Sequence, residues 1–316
     1  MVKRILLATP RGYCAGVDRA IETVEQALRL RGAPVYVRKR IVHNTHVVRE
    51  LEGRGAIFVD SEEDVPTGAE VIFSAHGVSP AVRANARRLG LRTIDATCPL
   101  VMKVHAEARH FAARGYTVVL IGHAGHEEVE GTIGEAPEAI VLVENVDQAH
   151  RLEPACGRPL AYITQTTLSV DETEAIVGVL RARFPGIEAP EHKDICYATT
   201  NRQRAVKRIL ERIDLLLVIG SEDSSNSNRL VEVARGGAVA AYLIEDEAAI
   251  EEHWLSGVET VGITCGASAP EALVRRVVTW FRERGDVEVE TLAGEEENLA
   301  FKLPAELSPR AAALEA

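Results

Sequence analysis

Short apolar runs alternate with amphipathic stretches along nearly the whole chain. Residues 5–8 (Ile-Leu-Leu-Ala) read as a strand, and a helical pattern begins near Val17. Strand-like runs at 35–42, 56–59, 70–74 and 91–94 then interleave with helical patterns at 45–54 and 80–90, the last ended by Gly90. The same rhythm continues with strands at 116–121, 139–143 and 160–164 and helices at 100–114, 127–133, 146–152 and 170–184. A last stretch offers strands at 215–219, 239–244 and 260–264, with helices at 201–213, 226–235, 247–255 and 270–284. Continuous apolar strands separated by helices predict parallel sheets covered on both faces, hence an α/β protein.

Polar residues gather where the strands end. His43-Asn44, Ser74-Ala75-His76-Gly77, Gly125-His126-Glu127-Glu128, Thr164-Gln165-Thr166-Thr167, Ser224-Ser225-Asn226-Ser227-Asn228 and Gly266-Ala267-Ser268 each follow an apolar run. In open parallel sheets, ligands bind outside the carboxyl ends of the strands. His43, His76 and His126 at equivalent positions form a candidate cationic lining for an anion. One residue of the Ser224–Asn228 run can serve as a helix cap; the surplus, with Ser268, suits phosphate oxygens at helix starts. Glu128 and Thr166 are candidates for passing protons.

Three cysteines open helices. Pro10-Arg11-Gly12-Tyr13-Cys14-Ala15-Gly16, Asp95-Ala96-Thr97-Cys98-Pro99 and Asp194-Ile195-Cys196-Tyr197-Ala198 each place a thiol where backbone N–H groups and the helix dipole favour a thiolate. The intervals between them are comparable, each the length of a small α/β unit. The chain therefore divides into units at 14–97, 98–195 and 196–290, with the strand 1–13 joining the third, and an acidic segment and tail at 291–316. Three thiols meeting at one centre suit Zn²⁺ with a fourth ligand, or an iron–sulfur cluster with one iron left open; the inert alternative is that they are packed small hydrophobes. Cys156 reads as an inert surface turn. Cys265, at a strand end, reads as a packed thiol with extra ligation as the alternative.

Composition narrows the partners. A net charge of −11 argues against nucleic acid held by a general basic surface. No apolar run approaches the roughly 20 residues of a membrane span, and the N-terminus carries no secretory pattern, so a cytoplasmic protein is expected. Five cysteines, none in a Cys-x-x-Cys pair, speak for reduced thiols rather than a disulfide framework. Neither Gly-x-Gly-x-x-Gly nor a phosphate-loop motif occurs, which weakens a nicotinamide or nucleotide enzyme.

Taken together, the motifs resemble the 4-hydroxy-3-methylbut-2-enyl diphosphate reductase family of the non-mevalonate isoprenoid pathway, over about residues 5–303. The segments that carry the resemblance begin at Pro10, Phe73, Asp95, Gly125, Thr164, Asp194, Ser224 and Gly266. It implies three similar small parallel-sheet domains arranged around a central [4Fe-4S] cluster held by Cys14, Cys98 and Cys196. It further implies that His43, His76, His126, Thr166, Ser224, Ser225, Asn226 and Ser268 bind the substrate. Glu128, helped by Thr166, would relay protons, and a ferredoxin or flavodoxin would supply electrons. Cys265 departs from the small non-thiol residue expected there. Two other readings stand beside this one: a cluster-dependent dehydratase needing no external electrons, and a structural zinc protein.

Overall fold

Among the described residues of the computed structural model every strand pairing is parallel, and the strands fall into three separate sheets. The structure describes residues 2–154 and 157–307, so Cys156 and the tail from 308 lie outside the described residues. One sheet has the order β10-β9-β11-β1-β12, from β1 (Arg4–Leu7), β9 (Leu215–Ile219), β10 (Ala240–Ile244), β11 (Thr260–Cys265) and β12 (Glu288–Thr291). A second runs β3-β2-β4-β5, from β2 (Val35–Arg38), β3 (Ala56–Val59), β4 (Glu70–Phe73) and β5 (Arg92–Asp95). The third, β7-β6-β8, comprises β6 (Thr117–Ile121), β7 (Ile140–Val143) and β8 (Leu160–Thr164).

The helices are α1 (Ala15–Arg31), α2 (Thr45–Gly53), α3 (Pro80–Arg88), α4 (Pro99–Ala113), α5 (Glu127–Glu135), α6 (Val146–Arg151), α7 (Val170–Arg183), α8 (Tyr197–Ile209), α9 (Ser225–Gly236) and α10 (Glu271–Arg282). The chain forms two compact units. The first comprises Met1–Ala15, His43–Val47 and Tyr197–Leu299; the second comprises Gly16–Val42, Val48–Cys196 and the segment from Ala300.

Burial on both faces explains the continuous apolar strands. Leu215, Leu217 and Ile219 of β9 meet Leu273, Val277 and Phe281 of α10, while the intervening Leu216 and Val218 meet Val206 of α8 and Leu230 of α9. The third sheet repeats the arrangement, with Val119 and Ile121 facing Ile176 and Leu180 of α7, and Val118 and Leu120 facing Val104 and Ala108 of α4. Successive side chains point to opposite faces, so a strand covered on both sides has no polar alternation.

The structure departs from the expected elements at several points. The helix expected over 247–255 is two 3-10 turns, Glu247–Ala249 and Glu252–Leu255, separated at Ile250. Asp246 caps the first turn through the Ala248 N–H, and Ile250 turns extended to reach the apolar core. The helix expected from Asn201 begins at Tyr197, so Cys196 stands directly before it. β12 escapes the apolar pattern because it is a short edge strand whose Glu288 and Glu290 alternate with half-buried Val289.

Candidate functional site

The three cysteine loops share one construction. Cys14, Cys98 and Cys196 each immediately precede a helix, α1, α4 and α8, and each is partly exposed. In each, the cysteine backbone N–H donates to a carbonyl in a loop at the end of a neighbouring strand: Cys14 to Ala267 (3.2 Å), Cys98 to Ala75 (2.9 Å) and Cys196 to Thr166 (3.0 Å). Those acceptors lie beside or among the polar residues that the sequence singles out, Ser268, His76 and Thr166 itself. Each thiol loop is thereby tied to a loop bearing candidate ligand groups.

A buried side chain clamps each cysteine loop. In the first unit, Arg202 donates from Nη2 to the Gly12 carbonyl at 2.7 Å and from Nη1 to both oxygens of Glu297 at 3.2 and 3.1 Å. In the second, Arg19 donates to the carbonyls of Thr97 (3.0 Å), Asp95 (3.3 Å) and Lys302 (2.8 Å). The Cys196 loop uses the reverse polarity: Asp194 accepts the Thr164 N–H at 2.8 Å and Lys103 at 2.8 Å.

The first unit collects one set of candidate anion ligands. His43 holds Asp223 through Nδ1 at 3.3 Å, and its carbonyl accepts the Ser268 hydroxyl at 2.9 Å. Ser224 caps α9 by accepting the Ser227 N–H, and Ser225 begins the helix. Asn226 accepts the Ala267 N–H at 2.9 Å and donates to Thr199 at 3.2 Å, so much of its amide is engaged in joining loops. Ser227 is wholly buried, and its hydroxyl donates to the Ser224 hydroxyl at 2.9 Å.

The second unit collects the other set. The rings of His76 and His126 meet edge to face, with centroids 5.9 Å apart. His76 Nδ1 lies 3.3 Å from Glu127, and His126 Nδ1 accepts the Glu128 N–H at 3.1 Å. Accepting at Nδ1 fixes the neutral His126 ring with its proton on Nε2. Glu128 is buried; it accepts the Thr166 N–H at 2.6 Å and the Thr166 hydroxyl at 2.9 Å. Sequence reasoning gave no role to Asp223, Glu127, Arg19 or Arg202. Their signal is pairing across long sequence separations, which periodicity does not carry.

Cys265 is set apart from the other three thiols. It is fully buried, accepts the Gly12 N–H at 3.0 Å, and burial pushes its thiol up to about 11. A protonated, enclosed thiol is a packing residue, in keeping with the first of its two sequence readings. The other three have the donor chemistry a cluster takes: partly exposed thiols at helix starts, none in a disulfide.

The LytB protein family model matches residues 5–282. The chain belongs to the LytB family. Curated relatives support the assignment along its length. The 4-hydroxy-3-methylbut-2-enyl diphosphate reductase of Acidothermus cellulolyticus is 58% identical over 306 residues, covering 96% of this chain and 90% of the relative. The enzyme of that name from Bordetella pertussis is 57% identical over 311 residues, covering 98% and 96%. Among solved structures, the E-1-hydroxy-2-methyl-but-2-enyl-4-diphosphate reductase of Plasmodium falciparum shares 40% identity with a TM-score of 0.96 and full coverage of both chains. This LytB chain therefore has the family's fold as well as its sequence. No helix among the described residues is long and apolar enough to cross a membrane.

Proposed function

We propose that this chain is a 4-hydroxy-3-methylbut-2-enyl diphosphate reductase, which removes the allylic hydroxyl of its substrate to give isopentenyl and dimethylallyl diphosphate. Two electrons and two protons enter, the C–O bond breaks, and the oxygen leaves as water. The observation that carries the reading is the joining of each cysteine loop to a loop of ligand-type residues in a chain 58% identical to a named reductase. Cys14, Cys98 and Cys196 would hold a [4Fe-4S] cluster. Such a cluster supplies electrons one at a time and, at an iron without a protein thiolate, a Lewis acid.

The remaining chemistry belongs to the chain. His43, His76, His126, Ser224, Ser225, Asn226 and Ser268 bind the diphosphate. His126 donates from Nε2, and His76, when protonated, keeps Nδ1 on Glu127 and offers Nε2–H to the anion. Glu128 delivers the proton. The Thr166 hydroxyl, which both donates and accepts, holds the carboxyl group and reverses its bond as the proton passes. Electrons come from a ferredoxin or flavodoxin.

Anaerobic incubation of the full chain with substrate and a one-electron reductant tests this. The two products should form only with reductant, in protein carrying about four irons and four sulfides. Glu128→Gln should lower turnover by about 10²-fold or more while iron and sulfide stay unchanged. A product formed without reductant would make the chain a dehydratase, and unaltered turnover would remove Glu128 from the proton path.

A further inference from the structure

Glu135 ends α5, where a carboxylate opposes the helix dipole, and its side chain is 1% exposed. A buried acid at the unfavourable end of a helix persists only with compensation. Here that comes from Arg109 at 2.6 Å, His105 Nδ1 at 2.9 Å and Arg83 at 3.5 Å. Burial pushes His105 below the usual imidazole range, against the opposing pull of Glu135. His105 and Arg109 are one turn apart on α4, and Arg83 lies on α3. One carboxylate thus gathers three helices.

The opposite end of α5 bears His126, Glu127 and Glu128. Along its length α5 packs closely against the loop that carries His76, most tightly at Gly134. A Cβ added to Gly134 would fall 2.3 Å from the Ser79 Cβ, and one added to Gly131 would meet the Gly77 backbone carbon at 3.5 Å. Small displacements of α5 therefore move His126 and Glu127 relative to His76. The network continues further: Arg83 also holds Asp95 at 3.0 Å, and Asp95 accepts the Thr97 N–H at 3.0 Å, one residue before Cys98.

We propose that Glu135 is a positioning residue for the anion-binding end of α5. Through Arg83, His105 and Arg109 it sets where His126 and Glu127 stand against His76. The proposal rests on the reading of His76 and His126 as diphosphate ligands.

The test titrates inorganic diphosphate calorimetrically into the full-length cluster-bearing protein, wild type and variants, alongside steady-state kinetics. Glu135→Gln keeps the shape and removes the charge; diphosphate affinity should fall about tenfold or more, with KM rising and kcat changing less. Glu135→Asp, which keeps the charge, should recover part of the loss. If Glu135→Gln titrates like the wild type while His76→Ala binds weakly, Glu135 has no positioning role. If His76→Ala itself binds as tightly as the wild type, the diphosphate reading fails and the proposal with it. Should Glu135→Gln not fold, Arg109→Gln reads the same contact from its solvent side; a loss of about threefold supports the proposal, and unchanged affinity overturns it.

Discussion

The Cys14 and Cys98 loops are both clamped by a buried arginine, yet the two cations are compensated in different ways. Arg202, with no exposed surface, faces the Glu297 carboxylate directly. Arg19 is held by backbone carbonyls, and burial lowers its pKa against the opposing pull of Asp95 and Cys98. In one loop a directly bonded carboxylate answers the guanidinium; in the other, carbonyls hold it while Asp95, Cys98 and Glu306 act on it without a direct bond. The difference makes the first loop the more fragile toward a single substitution, because removing one partner there strands the other.

That contrast predicts the largest effect. Arg202→Met should destabilise the chain by about 3–5 kcal/mol, the cost of leaving Glu297 and the Gly12 carbonyl without their cation. Arg19→Met leaves carbonyls but no directly bonded carboxylate, so about 1.5–3 kcal/mol is expected. Urea unfolding of both variants measures the gap, and an Arg19 variant as damaged as the Arg202 variant would erase the distinction. Replacing both members, Arg202→Met with Glu297→Gln, should recover part of the loss.

The Cys196 loop sharpens the comparison because its clamp is an acid. Asp194 is buried and takes the Thr164 N–H and Lys103, while Glu107 stands close by. Burial and the neighbouring Asp194 carboxylate push Glu107 up to about 8. A carboxyl whose folded pKa is raised contributes stability that is fully present below about pH 4.5 and is lost as pH rises through about 8. The Glu107 side chain is only 16% exposed, and Lys103 at 3.4 Å opposes the shift and moderates the effect. Stability should decline across that range in the wild type and less so in Glu107→Gln. An identical slope in both proteins would show that the carboxyl pair does not titrate as described.

The clamps also mark how far the sequence could be read. The parallel sheets follow from strands such as 215–219, whose every residue is buried, and the thiol loops from cysteines at helix starts. His43, His76, His126, Glu128 and Ser268 stand out because strand ends in such sheets collect polar groups. What pattern could not show is pairing across distance. Arg202 looks like an ordinary polar position on α8 until Glu297 joins it, and the acidic run 295–297 looks like a solvated tail until it meets that arginine. Glu135 was invisible for a further reason: the helix was expected to stop at Ile133, short of the residue that anchors it. The broken helix at 247–255 has a local cause, since Ile250 leaves helical geometry to reach the core.

The smallest effect tests whether the Cys14 loop depends on its thiol neighbour or on its arginine. Cys265 accepts the Gly12 N–H on one side of the residue whose carbonyl Arg202 holds on the other. A serine hydroxyl at that position can accept the same N–H and donate toward the Ala269 carbonyl, which the thiol approaches at 3.8 Å. Cys265→Ser should therefore change neutral-pH stability by no more than about 1 kcal/mol, well below Arg202→Met. The thiol leaves a separate signature at alkaline pH. Its folded pKa of about 11 exceeds the ordinary value of 9.0, so the wild type should lose stability between those limits, whereas the serine variant should not. A serine variant with the wild-type alkaline limb would place that loss elsewhere, and one as unstable as Arg202→Met would make the thiol, not the guanidinium, the principal support of the loop.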